Sequence, residues 1–333
     1  MARIFIDGFE SGSADFWVLN GSSVNTSPPT GFTGLYYLNI TIGSDSAYKY
    51  FYTDKAELYI SFKCMFTANS TTPNCALSFF DSNGIVIAGL YRKASNGFLE
   101  FRLGNGSATL LSTGTTVISI NTVYLIEIHY KPLNSGGIFQ VKVNGAAMEI
   151  DYSGDTTAGL ESVNRFGIFY VALNQVTYAK IDDVVVDDAN WIGNTKIQAI
   201  VPTGAGATTG WTPSTGNNWA AVDEKPAVDT DYIKTSSNQI DTYAMGNLSG
   251  SIASIKSVAV QSRNWREGNG SYDRGQHIVR PASTDRLAAS KTAVFPITAT
   301  SFQSIWELNP EDSQAWEESD VNGMEAGIKA VTA

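Results

Sequence analysis

Nine runs of strand length follow one another up to about residue 190, and turn residues cut each from the next. They are LYYLNITI, AELYISFKCMF, CALSFFD, IVIAGLYRK, GFLEFRLG, VYLIEIHYKP, GIFQVKVNG, VNRFGIFYVAL and YAKIDDVVVDD. Apolar and polar residues alternate most cleanly in FQVKVN and IEIHYK, the period of two expected of a half-buried strand. The turns DSNG (residues 81–84) and NSGG (residues 134–137) supply small side chains that tolerate the positive φ of a hairpin. No comparable stretch has the period of a helix, so the expected fold class is all-β, built from antiparallel strands in a sandwich.

A chain of 333 residues exceeds one ordinary core and implies two domains. Its net charge of −10 and pI near 4.7 argue against nucleic acid as a partner, because phosphate binding needs clustered Lys and Arg. The opening MARIFIDGFESG has no apolar stretch behind Arg3, and no later run is long enough to span a bilayer. The expectation is a chain folded in a cytoplasm, or exported by a route other than a cleaved signal, with no membrane insertion. The triplets at Asn39 and Asn69 read as polar turns. Cys64 and Cys75 flank a loop; buried thiols are favoured over a hairpin disulfide, which stays open as the alternative.

In order, VYLIEIHYKP, GIFQVKVNGAAM, VNRFGIF and AKIDDVVVDD resemble the laminin-G/concanavalin A-like jelly roll over roughly residues 1–190. The resemblance implies a hairpin carrying V-N-G and a closing strand, I-D-D-V-V-V, that returns beside IFIDGFESG. On that strand Ile181, Asp183, Val185 and Asp187 share one face, and Asp182, Val184, Val186 and Asp188 the other. Neither face is purely acidic, so the expectation is a strand with solvated acidic ends rather than a metal or catalytic cage.

Composition shifts towards Thr, Gly and Asn near Asp188 to Asn194, which divides the chain into domains 1–190 and 191–333. The second domain reads as a smaller β-sandwich with strands at KIQAIVP, DYIKTS, QIDTYAMG, IASIKSVAVQSRNW, QHIVRP, SFQSIWEL and EAGIKAV. A short helix is expected at WEESDVNGM, capped by Asp312 or Ser313. Trp211, Pro213, Trp219, Asp229, Asp231, Tyr232, Trp306, Pro310, Trp316 and the ending VNGMEAGIK resemble a module of tailed-bacteriophage structural proteins. That resemblance implies a virion protein, present in many copies or as a homo-oligomer and partnered by other virion proteins.

Signals for catalysis are sparse. The two histidines, His129 and His277, fall on separate domains and read as structural or surface residues. Nucleophile-elbow, paired-cysteine, zinc-protease and phosphate-loop motifs are absent from the sequence. Glycoside hydrolysis on this fold wants a Glu-x-Asp-x-x-Glu strand, whereas Glu100 and Glu127 stand alone and read as solvent-facing. The expectation is therefore a protein that is not an enzyme and needs no cofactor; Asp223, Asp229 and Asp231, beside Glu224, read as solvated loop acids, with a structural calcium held by their oxygens as the alternative. Aromatic rings among polar side chains suit sugars. Trp17, Tyr36, Tyr37, Tyr91, Trp211, Trp219, Trp265 and Tyr272 are the pool, and the loop RNWREGNGSYDRGQ draws most attention. Trp211, Trp219, Trp265 and Tyr272 are the expected glycan or partner contacts. The function expected is a virion surface protein, tail-associated or capsid-decorating, that adheres to host-surface glycans. The alternatives are a purely structural capsid or tail component and, with least support, a depolymerase.

Overall fold

The computed structural model describes residues 3–41, 46–69, 74–104, 109–157, 159–160, 162–168, 179–268 and 270–332. The chain divides into two compact units: the residues up to Glu10 together with Phe16–Ile197, and Ser11–Asp15 together with everything from Gln198 onward.

The first unit contains β1 (Arg3–Asp7), β2 (Val18–Asn20), β3 (Ser23–Thr26), β4 (Tyr36–Ile40) and β5 (Ser46–Lys55). There follow β6 (Leu58–Phe66), β7 (Asn74–Phe80), β8 (Val86–Arg92), β9 (Leu99–Leu103) and β10 (Leu110–Thr113). Then come β11 (Tyr124–Lys131), β12 (Gly137–Val143), β13 (Met148–Gly154), β14 (Val163–Ile168) and β15 (Ala179–Asp187). Sheet A runs β13-β12-β11-β6-β15-β4-β3 with β1 paired to β15, and sheet B runs β10-β9-β8-β7-β14-β5-β2. The unit is an antiparallel two-sheet sandwich, as expected. The FYVAL end of the expected strand VNRFGIFYVAL lies outside the described residues.

Alternate residues of each sheet meet in the core. Phe101 of sheet B stacks on Phe139 of sheet A with centroids 3.8 Å apart, Phe79 meets Tyr130 at 4.3 Å, and Trp17 stands edge-on to Phe166 at 5.6 Å. Polar tips in this core are satisfied: Tyr130 Oη donates to the Thr156 carbonyl (2.9 Å) and Trp17 Nε1 to Asp7 Oδ2 (2.8 Å). Cys64 and Cys75 are free thiols on β6 and β7, in opposite sheets, and burial pushes both up to about 12.

The closing strand departs from expectation. Its acids are not solvated: Asp182, Asp183 and Asp187 are 0%, 2% and 1% exposed. The reason is a bulge. Register slips between Asp182 and Val185, Asp183 takes φ +51°, and the strict alternation of faces is lost. Asp183 Oδ2 then accepts from Lys63 Nζ (2.7 Å) and Thr33 Oγ1 (2.6 Å), while its Oδ1 accepts from the Ile197 amide (2.8 Å). Asp182 accepts from the Thr33 and Asp183 amides, and burial, followed by the Asp183 charge, holds its carboxyl well above the usual range. Asp187 pairs with Arg3.

Glu127 and His129 point out of sheet A, yet the structure buries both, at 3% and 6% exposure. The chain's own Trp191 and Gly193 cover that face. Gly193 donates its amide to Glu127 Oε1 (2.7 Å), and Trp191 stands edge-on to both Tyr59 and His129. His129 stacks on Tyr59 at 4.2 Å with Nε2 2.7 Å from Glu57 Oε1.

The second unit contains β16 (Pro202–Thr209), β17 (Thr212–Pro213), β18 (Ile233–Lys234), β19 (Ile240–Met245) and β20 (Val258–Asn264). It continues with β21 (Arg274–Arg280), β22 (Arg286–Leu287), β23 (Thr300–Trp306), α1 (Glu318–Asn322) and β24 (Glu325–Val331). A sheet ordered β16-β19-β24-β21-β22 is accompanied by the pairs β17-β18 and β20-β23. KIQAIVP is not a strand before its last residue; the strand begins there, at Pro202, and runs as PTGAGATT. Small residues are what that strand needs, because a Cβ on Gly206 would sit 2.5 Å from the Thr242 carbonyl. The expected helix forms, but its first turn is closed by Asp320 accepting from the Glu317 amide (2.8 Å), not by Asp312 or Ser313. Val258, Val279, Trp316, Val321 and Met324 form the core. His277 on β21 is fully buried, with Nε2 2.6 Å from Ser262 Oγ on β20 and Nδ1 2.8 Å from Ser304 Oγ on β23, and so ties the larger sheet to the pair. Burial pulls its imidazole down to about 4.

Candidate functional site

The four aromatic residues expected to contact a partner are all half-buried in the second unit. Trp211 is pinned: its amide donates to Asp241 Oδ1 (3.2 Å) and its indole Nε1 to the Gln239 carbonyl (3.1 Å). Asn218, beside Trp219, donates to the Trp211 carbonyl (2.7 Å) and to both oxygens of buried Asp241, which also accepts from Tyr243 Oη. Trp265 stands edge-on to Tyr232 at 5.4 Å. Among the described residues no ring contact joins Trp265 or Tyr272 to Trp211 or Trp219. Of the wider pool, Trp17, Tyr37 and Tyr91 are buried.

The acidic candidates are also dispersed. Asp229 takes Arg263 Nε (2.7 Å) and Nη2 (2.9 Å) on its two oxygens, and these bonds hold its carboxyl below the usual range. Asp15 binds the same guanidinium through Nη1 (2.7 Å). Asp231 accepts from Ser214 Oγ (2.8 Å). Burial, then the charges of Asp231 and Asp223, raises the Glu224 carboxyl. Among the described residues, no three acidic, histidine or cysteine side chains converge as a metal site would require.

A denser constellation lies on the outer face of sheet B. Because Phe166, Phe79 and Phe101 fill the core, their neighbours in sequence point away from it. Arg165 on β14 is in register with Tyr50 on β5 and Phe80 on β7, and one rung along, Gly167 is in register with Tyr48 and Ser78. Across β8, Gly89 pairs with Ser78 and Arg102, and Tyr91 with Glu100. The Arg165 guanidinium carbon lies 5.4, 5.0 and 4.9 Å from the ring centroids of Tyr48, Tyr50 and Phe80. Tyr48 meets Phe80 edge-on at 5.8 Å. At the other end Glu100 Oε2 accepts from Arg102 Nε (3.0 Å) and Nη2 (2.7 Å), and Lys93 Nζ stands 3.6 Å from Oε1. Glu100 is fully buried, not solvent-facing as an isolated strand acid was expected to be, because these two cations enclose it.

Three strand spacings separate β14, which carries Arg165, from β9, which carries Glu100 and Arg102, about 14 Å across the sheet. Tyr48, Tyr50 and Arg165 are half-buried and keep part of their surface open. Rings for C–H faces and fixed hydrogen-bonding groups spread along one sheet suit an extended polar chain. Reading the sequence missed this face because SAYKYFYTDK was not recognised as a strand. The signal was there: Tyr48, Tyr50 and Tyr52 recur every second residue.

No protein-family model and no curated protein matches the chain. Solved structures that resemble it include an endo-β-1,4-glucuronan lyase from the fungus Trichoderma reesei, at 12% identity and TM-score 0.44, covering 56% of this chain and 96% of that one. A Trypanosoma rangeli sialidase mutant with trans-sialidase activity has 14% identity and TM-score 0.38, over 52% of this chain and 28% of that one. The carbohydrate-binding module CBM66 from Bacillus subtilis has 10% identity and TM-score 0.36, over 52% and 96%. The expectation that the chain is not an enzyme is corrected by this set, in which a lyase and a sialidase stand beside a binding module. Likenesses this distant assign no reaction.

Proposed function

We propose that the chain is a glycan-contacting protein of a tailed-phage virion, carried in many copies, with the outer face of sheet B as its contact surface. The observation that supports the contact surface is the seating of Tyr48, Tyr50 and Arg165 on neighbouring strands, facing away from the core. The virion setting rests on the residues of the second unit that resemble phage structural modules, and in this reading that unit is the anchor. Repetition on a particle makes weak single sites sufficient.

A glycan array probed with the full chain, and with Tyr50→Ala, tests the contact surface. Bound glycans should lose about tenfold in affinity in the variant, the usual cost of truncating a central aromatic contact. Binding that ignores Tyr50→Ala and Tyr48→Ala alike would move the site off this face. Cryo-electron microscopy of a particle carrying the protein tests the setting: residues 191–333 should lie against neighbouring subunits and sheet B should face outward. A face of sheet B packed into the shell would end the adhesion reading.

A further inference from the structure

Arg165 carries the argument one step further, on the premise that sheet B binds glycan. Its Nη1 donates to Tyr50 Oη, its Nε is buried with no hydrogen-bond partner, and Nη2, which lies over Gly84, has no hydrogen bond among the described residues. Among the described residues no carboxylate pairs with this guanidinium. The acids of the surrounding turns are committed elsewhere. Asp81 Oδ1 accepts the amides of Asn83 (3.0 Å) and Ile85 (2.7 Å), and its Oδ2 accepts Asn83 Nδ2 (3.3 Å). Asp54 accepts from Ser162 Oγ (3.0 Å) and Asn164 Nδ2 (3.2 Å). By contrast, the Arg102 guanidinium on this face has an acid, Glu100, which also faces the Lys93 ammonium. Gly84, at φ +83°, leaves room for Nη2, since a Cβ there would fall 2.2 Å from it.

A guanidinium held over three rings, with its planar fork incompletely used, is matched to a carboxylate brought by a ligand. We propose that the glycan taken by sheet B is acidic, a uronate-bearing chain, with Arg165 as counter-ion to one sugar carboxylate while the rings of Tyr48 and Tyr50 flank the sugars.

The test is calorimetric titration of the full chain with hexamers of galacturonate and of glucuronate, with cellohexaose as the neutral probe and sodium acetate as a free-anion competitor. An acidic hexamer should bind at least tenfold more tightly than cellohexaose. Arg165→Gln should erase that difference, Arg165→Lys should weaken acidic binding several-fold, and acetate at millimolar concentration should not displace the hexamer. Circular dichroism confirms that each variant is folded; if Arg165→Gln is not, unchanged affinity in Arg165→Lys overturns the proposal. Equal binding of acidic and neutral hexamers, with both weakened by Tyr50→Ala, overturns the acidic preference and leaves the glycan reading standing. Full displacement by acetate overturns the proposal in favour of a simple anion site. If no hexamer binds, the glycan reading falls and this inference falls with it.

Discussion

His277 is a neutral imidazole enclosed by two serine hydroxyls, and its pull down to about 4 has a sign that is easily checked. The folded value lies below the ordinary 6.5, so the stabilisation is complete above pH 6.5 and is lost as pH falls from there to about 4. The lost contribution is about 3 kcal/mol at the acid end. Melting of the wild type should fall between pH 7 and pH 4 more steeply than melting of His277→Gln, which keeps hydrogen-bonding capacity without the titration. Parallel curves would show that the imidazole does not govern acid lability. From the sequence, His277 was assigned an ordinary structural or surface role; burial between two sheets was invisible because nothing local marks Ser262 and Ser304 as its partners.

Two strands decide most of what this fold can do, and they were unequally legible. β15 was recognised from its valines and its place beside β1 was anticipated, yet the bulge that buries Asp182 and Asp183 depends on Lys63 and Thr33, which are distant in sequence. Asp183→Ala should cost about 3–5 kcal/mol in urea unfolding, since it strands a buried ammonium. Asp183→Asn, which tolerates the left-handed backbone and still accepts hydrogen bonds, should cost clearly less. Equal losses would assign the effect to the missing negative charge beside Lys63, with no share for backbone geometry. β5 was missed although its tyrosines alternate, because Lys49, Thr53, Asp54 and Lys55 dilute its apolar character. The reason appears only in three dimensions: β5 turns Lys49 inward, its Nζ 4.1 Å from the Phe5 ring centroid, and Tyr48 and Tyr50 outward. The candidate face therefore escaped notice, while half-buried tryptophans of the second unit drew attention by composition.

Taken whole, the molecule sets a strongly negative net charge against a cationic contact point. At low ionic strength a polyuronate should be repelled by the net charge of −10 before it reaches Arg165. Salt screens that long-range repulsion within about 8 Å at 0.15 M, but acts less on a contact at van der Waals range. Stopped-flow association of an acidic hexamer should therefore speed up between 10 and 150 mM salt by roughly 2-fold or more, and a rate that falls instead would mean the local field of the face dominates. The passage of Ser11–Asp15 into the second unit has a different consequence, one of inheritance. The polypeptide changes unit at residue 10, at residue 15 and at residue 197, so no single crossover in a gene can transplant either half intact. A recombination joint at 197 would bring an unrelated pentapeptide to the place where Asp15 meets Arg263 and Ser301. Mosaic descendants should therefore keep the two halves together as one cassette, or show compensating change at Arg263.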